Sequence, residues 1–271
     1  MKLRIKQNTF FKQFTLDSSK IAPQDKVAVS AGTTFEVHSW KPAGKFHWKV
    51  ALIDKFLGTP PRNTWYVFTP HIELLNRKGQ PPKVSPNPTR SLPQFGRLPT
   101  EKLLNIPHKT QLNNALNPQG ACNVTCFAMV MQYFQIPQRT AAMQFEDELY
   151  RYMDANDLSR HDPEDLEVMS EAYGLRNEFT TRGSLFDIRK AIAEGKPCII
   201  HGYFTSFGHI IVLRGYDRNG FYVNDPYGEW TSSGYLQGGF GKNLHYSNRL
   251  IQSKCSPEGS DYIWLHRLSK K

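Results

Sequence analysis

No stretch of this 271-residue chain approaches the roughly 18 consecutive apolar residues that a membrane-crossing helix needs. The opening Met1-Lys-Leu-Arg-Ile-Lys-Gln-Asn-Thr-Phe-Phe is basic, but polar residues interrupt it before an apolar core forms, which reads against a secretory signal. The expectation is a protein that stays in the cell that makes it, cytoplasmic unless released by another route. Cysteine is scarce. Cys122, Cys126, Cys198 and Cys255 are irregularly spaced, and without a secretory route they are expected as reduced thiols. There is no Cys-x-x-Cys pair and no His-x-x-x-His cluster, so no metal is expected and no cofactor is implied. Charged residues make up 21%, below the roughly 25% of typical globular chains, while hydrophobic residues reach 39%; the chain is expected to fold, not to remain disordered.

Acidic residues are rare in the first hundred positions. Residues 1–100 hold 16 Lys and Arg against 5 Asp and Glu, a balance of +11, whereas residues 101–271 hold 18 against 19, a balance of −1. The surplus fits a module drawn to an anionic polymer or surface, and equally a basic domain that is merely soluble. Nucleic acid is a weaker reading, because the basic residues form no dense run and match no binding motif.

What is present falls into three parts. Lys2–Phe10, Lys26–Val29, Thr34–Lys41, Phe46–Ile53 and Thr64–Thr69 are short and rich in β-branched and aromatic residues, with turn signals at Pro23, Ala31-Gly32, Pro42-Ala43-Gly44 and Gly58-Thr59-Pro60-Pro61. Five such strands predict a small β-barrel over 1–75. Trp40, Trp48, Trp65 and Tyr66 either line a groove on it or fill its core. Residues 76–100 carry Pro81, Pro82, Pro86, Pro88, Pro93 and Pro99 and read as a semi-rigid linker. The third part, 101–271, opens with helical spacing over Cys122–Phe134, followed by expected helices at 139–155, 163–173 and Ser184–Glu194. Strands follow at Cys198–Phe204, His209–Tyr216 and Gly220–Asn224. Helices first and strands afterwards make this part α+β.

Cys122 carries the strongest chemical signal. It follows Gln119-Gly120-Ala121 at the start of a helix, where the dipole and unpaired amide N–H groups favour a thiolate, the form that attacks carbonyl carbon. Cys126, one turn further in, reads as core; Cys198 in a strand and Cys255 in a late loop read as structural. Of nine histidines, His209 begins an apolar strand after Gly208, which places an imidazole at a sheet rim. His201 competes, but no acid follows it in a hairpin. His38, His47 and His71 belong to the first part, which holds no thiol. After His209 the chain turns at Arg218-Asn219-Gly220, a register that pairs Asp225 with Leu213 and puts Asp225 on the face of His209. A regular ladder leaves the two about four residues apart, roughly 13 Å, so contact requires a bend at Asn224-Asp-Pro.

These residues carry a resemblance. His209-Ile-Ile-Val-Leu-Arg-Gly-Tyr followed by Asp225-Pro-Tyr-Gly resembles the papain-like pattern of His, apolar strand, Gly-Tyr and Asn-x-Trp-Gly. Ile106-Pro-His-Lys-Thr-Gln-Leu-Asn-Asn, Ala121-Cys-Asn-Val-Thr-Cys-Phe-Ala-Met and Gly208-His-Ile-Ile-Val look like C39-like peptidases. The first part, with Val29-Ser-Ala-Gly-Thr-Thr-Phe-Glu-Val, His47-Trp-Lys-Val-Ala and Asn63-Thr-Trp-Tyr-Val-Phe, resembles a bacterial SH3-like domain. Together they imply a papain-like catalytic domain preceded by a small SH3-like β-barrel. They also imply a cysteine peptidase with Cys122 as nucleophile, His209 as base and Asp225 orienting it. The resemblance gives Gln111 the oxyanion-stabilising role, with Gln119 as its rival. Many relatives have Gly-Pro after the cysteine, where this chain has Asn123-Val124. The implied substrate is a peptide or a peptide-containing polymer, with cell wall suggested by analogy. An amidase or acyltransferase on the same fold, and a catalytically silent peptide-binding protein, are the competing readings.

Overall fold

Alternation of apolar and polar residues governs the start of the chain: Leu3 and Ile5 are buried while Lys2 and Arg4 are exposed. The computed structural model describes residues 1–53, 55–76, 79–82, 98–236, 239–256 and 262–271. It divides into two compact units, Met1–Val84 with Thr205–Gly208, and Ser85–Phe204 with His209–Lys271.

The first unit is built of β1 (Lys2–Ile5), β2 (Thr9–Lys12), β3 (Lys26–Val29), β4 (Thr34–Pro42), β5 (His47–Leu52), β6 (Thr64–Phe68) and β7 (Ile72–Leu75). They pair in the order β3-β2-β6-β5-β4-β1-β7, and no ladder joins β3 to β7 among the described residues. Seven strands thus stand where five were expected, and no closed barrel is found among the described residues. Two local causes account for the extra strands. The polar Lys6-Gln7-Asn8 splits the expected Lys2–Phe10 strand: the Lys6 and Gln7 amides turn to the His71 carbonyl, while the Asn8 side chain accepts from Ala31 N. Beyond Pro70 a short turn releases β7. Trp40 and Trp65 are buried, which settles those two as core. Most of the Pro-rich stretch 76–100 lies outside the described residues.

The second unit runs β8 (Lys102–Leu103), α1 (Cys122–Tyr133), α2 (Phe145–Ala155), α3 (Pro163–Ala172), β9 (Leu175–Gly183), α4 (Leu185–Ala193), β10 (Cys198–Gly202), β11 (His209–Tyr216), β12 (Gly220–Asn224), β13 (Trp230–Thr231), β14 (Gly234–Tyr235), β15 (Leu244–Ser247), α5 (Asn248–Cys255) and β16 (Ile263–Lys270). The main sheet has the antiparallel order β15-β12-β11-β10-β16-β9, with β8 also on β11. Helix α1 is apolar almost all round and packs on β11 and α2 at the centre of the core, as a helix without a polar face must. Ser184 caps α4 in a reciprocal box with Asp187, and Pro163 opens α3 behind its cap Asp162. Helix α2 starts at Phe145, not at 139, because the Glu148 carboxylate accepts from the backbone N–H groups of Arg139 and Thr140 (2.7–2.9 Å) and holds that segment as a loop. Cys255, expected in a loop, ends α5 and is buried.

The β11–β12 hairpin corrects the expected register. Val212 pairs with Asn224 and Leu213 with Val223, and the register shifts between Leu213 and Gly215. Arg214 is the extra residue of this bulge, held by Leu104, which donates to its carbonyl (2.7 Å) and accepts from its Nε (3.0 Å). The bulge brings Asp225 one residue nearer to His209 than a regular continuation of the Tyr216–Phe221 pairing, and the turn accounts for one more, so Asp225 falls opposite Ile211 where Leu213 was expected. It then leaves the sheet, donating its N–H to Gly241 O (2.8 Å). A Cβ on Gly241 would overlap the Asp225 carbonyl oxygen. Gly241→Ala is therefore expected to lower stability by about 1–3 kcal/mol through overpacking, read as a drop in Tm; an unchanged Tm would show that this crossing has room to spare.

Candidate active site

Cys122 is the first residue of α1, and its thiol is the partly exposed member of the four; Cys126, Cys198 and Cys255 are buried, and all are free thiols. The Ala121 side chain does not cap the helix; of the first-turn amides, that of Val124 is taken by the Asn123 side chain. Asn123, the departure from Gly-Pro, is buried and works locally: its side-chain amide donates to Arg160 O (2.6 Å) and its oxygen accepts from Val124 N (2.9 Å). Arg160 in turn donates to Gly120 O (3.0 Å) and to the Tyr150 hydroxyl (2.9 Å). The turn that delivers the thiol is thereby pinned from both sides.

His209 and Asp225 stand next to it. Gly208 has φ +94°, a conformation open to glycine, and sets the entry into β11. His209 Nε2 donates to Asp225 Oδ1 (2.7 Å), both side chains being almost fully buried. That bond consumes Nε2 and leaves Nδ1 for the sulfur. Thiol and imidazole interact by charge and by a side-chain hydrogen bond. Burial works against ionising Cys122, but the His209 charge and hydrogen bond, the Ile210 N–H and the Arg160 guanidinium together bring its pKa below the ordinary thiol value. Burial likewise opposes charge on His209, and the Asp225 carboxylate and Cys122 thiolate outweigh it, raising its pKa to about 10. Both directions favour a thiolate–imidazolium pair over a neutral one. Cys126 behaves oppositely: burial, then the neighbouring negative charges, push its pKa well up, and its S–H donates to Ile210 O (3.4 Å).

Gln111 is buried in a short turn at Gln111–Asn113. Its backbone N–H donates to Pro226 O (2.8 Å) and its side-chain amide to Pro118 O (2.9 Å), while its Oε1 has no partner among the described residues. It therefore bridges the segment before Cys122 and the segment after Asp225. Gln119 is exposed and accepts from the Tyr227 hydroxyl (2.7 Å). His201 does not join the group; its Nε2 faces that of His266 at 3.0 Å.

Sequence reasoning missed three tyrosines. Tyr235 and Tyr246 donate their hydroxyls to Asp225 Oδ2 (3.0 and 3.2 Å), and Tyr227 N donates to Oδ1 (3.0 Å). Burial and the Asp225 charge raise the pKa of Tyr235 and Tyr246, so both remain donors. The rings of Tyr227, Tyr235 and Phe204 stand edge-on to His209 at 5.6–6.3 Å. Tyr227 occupies the Trp place of the Asn-x-Trp-Gly pattern; Tyr235 and Tyr246 lie 10 and 21 residues beyond Asp225 with no spacing rule to mark them.

The pH consequence follows from these directions. The depressed thiol keeps its charge above its own pKa and loses it as pH falls through that value; the imidazolium persists until pH rises through about 10. At pH 6 a free thiol of pKa about 8.5 is only about 0.3% ionised. Iodoacetamide is expected to modify Cys122 at pH 6 faster than it modifies glutathione, and Asp225→Asn should move the onset to higher pH. Peptide mapping of the alkylated protein reads the result, and equal rates would contradict the ion pair.

No curated protein matches the chain. Among solved structures, one described as a C39-like peptidase from Bacillus anthracis is 17% identical, with a TM-score of 0.44, covering 63% of this chain and 98% of that one. A double glycine motif protease from an AMS/PCAT transporter, solved with its leader peptide, is 20% identical with a TM-score of 0.38, covering 62% and 95%. A family model described as "Peptidase_C39 like family" matches residues 103–248, more than half of the sequence and the segment that holds Cys122, His209 and Asp225. The chain belongs to the C39-like peptidase family and is a cysteine peptidase.

Proposed function

We propose that the chain hydrolyses a peptide bond through Cys122, His209 and Asp225, by way of a covalent thioester. The observation that carries this is the buried Asp225–His209 bond next to the partly exposed thiol at the N-terminus of α1. The Cys122 thiolate attacks the carbonyl carbon, and the carbonyl π electrons pass to oxygen. As that oxyanion collapses, the C–N bond breaks and His209 gives its Nδ1 proton to the leaving amine. The neutral imidazole then takes a proton from water, whose oxygen attacks the thioester. Collapse of the second tetrahedral species expels the thiolate and leaves a carboxylic acid, which loses its proton to solvent, with the imidazolium restored. Asp225 keeps the imidazole in the tautomer that presents Nδ1.

For the oxyanion, the proposed donors are the Cys122 backbone N–H and the second amide hydrogen of Gln111, the first being taken by Pro118 O. The substrate in this reading is a peptide or a peptide-containing polymer, and the basic first unit contributes attraction to an anionic polymer, the SH3-like role. No helix among the described residues is long and apolar enough to cross a membrane.

Cys122→Ala and His209→Ala are each expected to lower kcat on a fluorogenic peptide library at least about a thousandfold. Gln111→Ala should cost about 10²–10³ in kcat with KM little changed, as for a donor used only in the transition state. Activity should decline as pH rises through about 10, where His209 loses the proton it delivers. Retention of hydrolysis by Cys122→Ala would end the proposal.

A further inference from the structure

The first unit holds a cavity of about 450 Å³. It is formed by Thr9 and Lys12 of β2, His47 of β5, Phe68 of β6, and Phe10 and Asp17 at its sides. This lies within the roughly 300–1,000 Å³ of small-ligand pockets. The aromatic candidates of the sequence lie elsewhere.

Lys12 is the unusual member. Its residue is only 5% exposed, yet its ammonium forms no ion pair among the described residues. Two of its three hydrogens are taken, one by Leu16 O (2.7 Å) and one by His47 Nε2 (2.9 Å). Burial, then the Lys12 charge, lowers the His47 pKa to about 4, so His47 is neutral and accepts at Nε2. A cation with little solvent contact thus borders an open cavity, with one hydrogen not engaged among the described residues; the Asp17 charge answers it in part without an ion-pair contact, and an anion at Nζ would complete the pairing.

Three features select among anions. Among the described residues of the lining Lys12 is the only ammonium or guanidinium, so the wall offers one positive charge and suits a singly charged anion better than a doubly charged phosphate. Phe10, Phe68 and Leu16 supply apolar surface. Asp17, whose pKa is held low by the Ser19 hydroxyl and N–H, repels a second negative charge. The match is a single carboxylate carried on an apolar or aromatic group. We propose that this cavity binds the free C-terminal carboxylate of a peptide at Lys12, with the terminal side chain against Phe10 and Phe68. Hydrolysis of a peptide bond creates such an end, so products of the proposed reaction belong to the ligand class. Only that source rests on the proposed function; the cavity stands without it.

The test uses full-length Cys122→Ala protein, in which cleavage plays no part, and calorimetric titration at pH 7. The probes are an N-acetylated tripeptide ending in phenylalanine, as free acid and as C-terminal amide. The acid is expected to bind at least about tenfold more tightly than the amide, and Lys12→Met to abolish that preference. Phe68→Ala should weaken both probes and keep their ratio. Equal binding of acid and amide, no binding of either, or displacement by inorganic phosphate more readily than by acetate would each overturn the proposal. The acid–amide comparison is made with Lys12 in place, so its outcome does not depend on how well Lys12→Met folds.

Discussion

A carboxylate with no solvent contact must be answered by donors, and in the second unit nearly everything around Asp225 serves that need. Its oxygens accept from the His209 ring, the Tyr227 amide and the hydroxyls of Tyr235 and Tyr246. Each donor comes from a different place: β11, the turn after Asp225, β14 and β15. Charge-assisted hydrogen bonds in so dry a setting are strong when complete and expensive when one is missing. Those elements are therefore held in a fixed relation by one side chain. The same interaction chooses which imidazole nitrogen meets the sulfur, and so sets the ionisation of Cys122 from two bonds away.

The parts of this arrangement that follow local rules were legible in the sequence. A thiol after Gly-Ala at the head of an apolar helix, a histidine at the first position of an apolar strand and an acid before Pro-Tyr-Gly are each local patterns, and the structure brings Cys122, His209 and Asp225 together. What escaped was non-local. The position of Arg214 as an unpaired residue depends on Leu104, more than a hundred residues away, and no pattern within the strand announces it. Tyr235 and Tyr246 reach Asp225 through a long excursion from the sheet. β9, β15, α5 and β16 also went unread; of these β16, buried on both faces over its first half, lacks the alternation of a half-exposed strand. In the first unit the spacing of strands was readable, but their closure was not, since closure depends on edges that no short segment encodes.

The two units divide the electrostatic labour. Residues 1–100 carry the whole positive surplus, while the remainder is close to neutral. In the second unit the important charges are buried and few, and salt screens them weakly; in the first they are numerous and mostly exposed, and salt screens them strongly. Lys12 and Lys41 are the exceptions, cations of the first unit treated as interior groups.

The bulge at Arg214 bears on how this hairpin can change over generations. Because side chains alternate along a strand, adding or losing one residue between His209 and Asp225 would turn the acid to the opposite side of the sheet. Adding two to one arm would restore the side but retract the carboxylate by roughly 6–7 Å. Length variation within one arm alone is thus forbidden, while in the turn Arg218 and Asn219 can exchange residue types, between an Asp217 that ties the amides and a Gly220 whose Cβ would overlap Tyr246 O. The hairpin works as a ruler that tolerates repainting but no recutting.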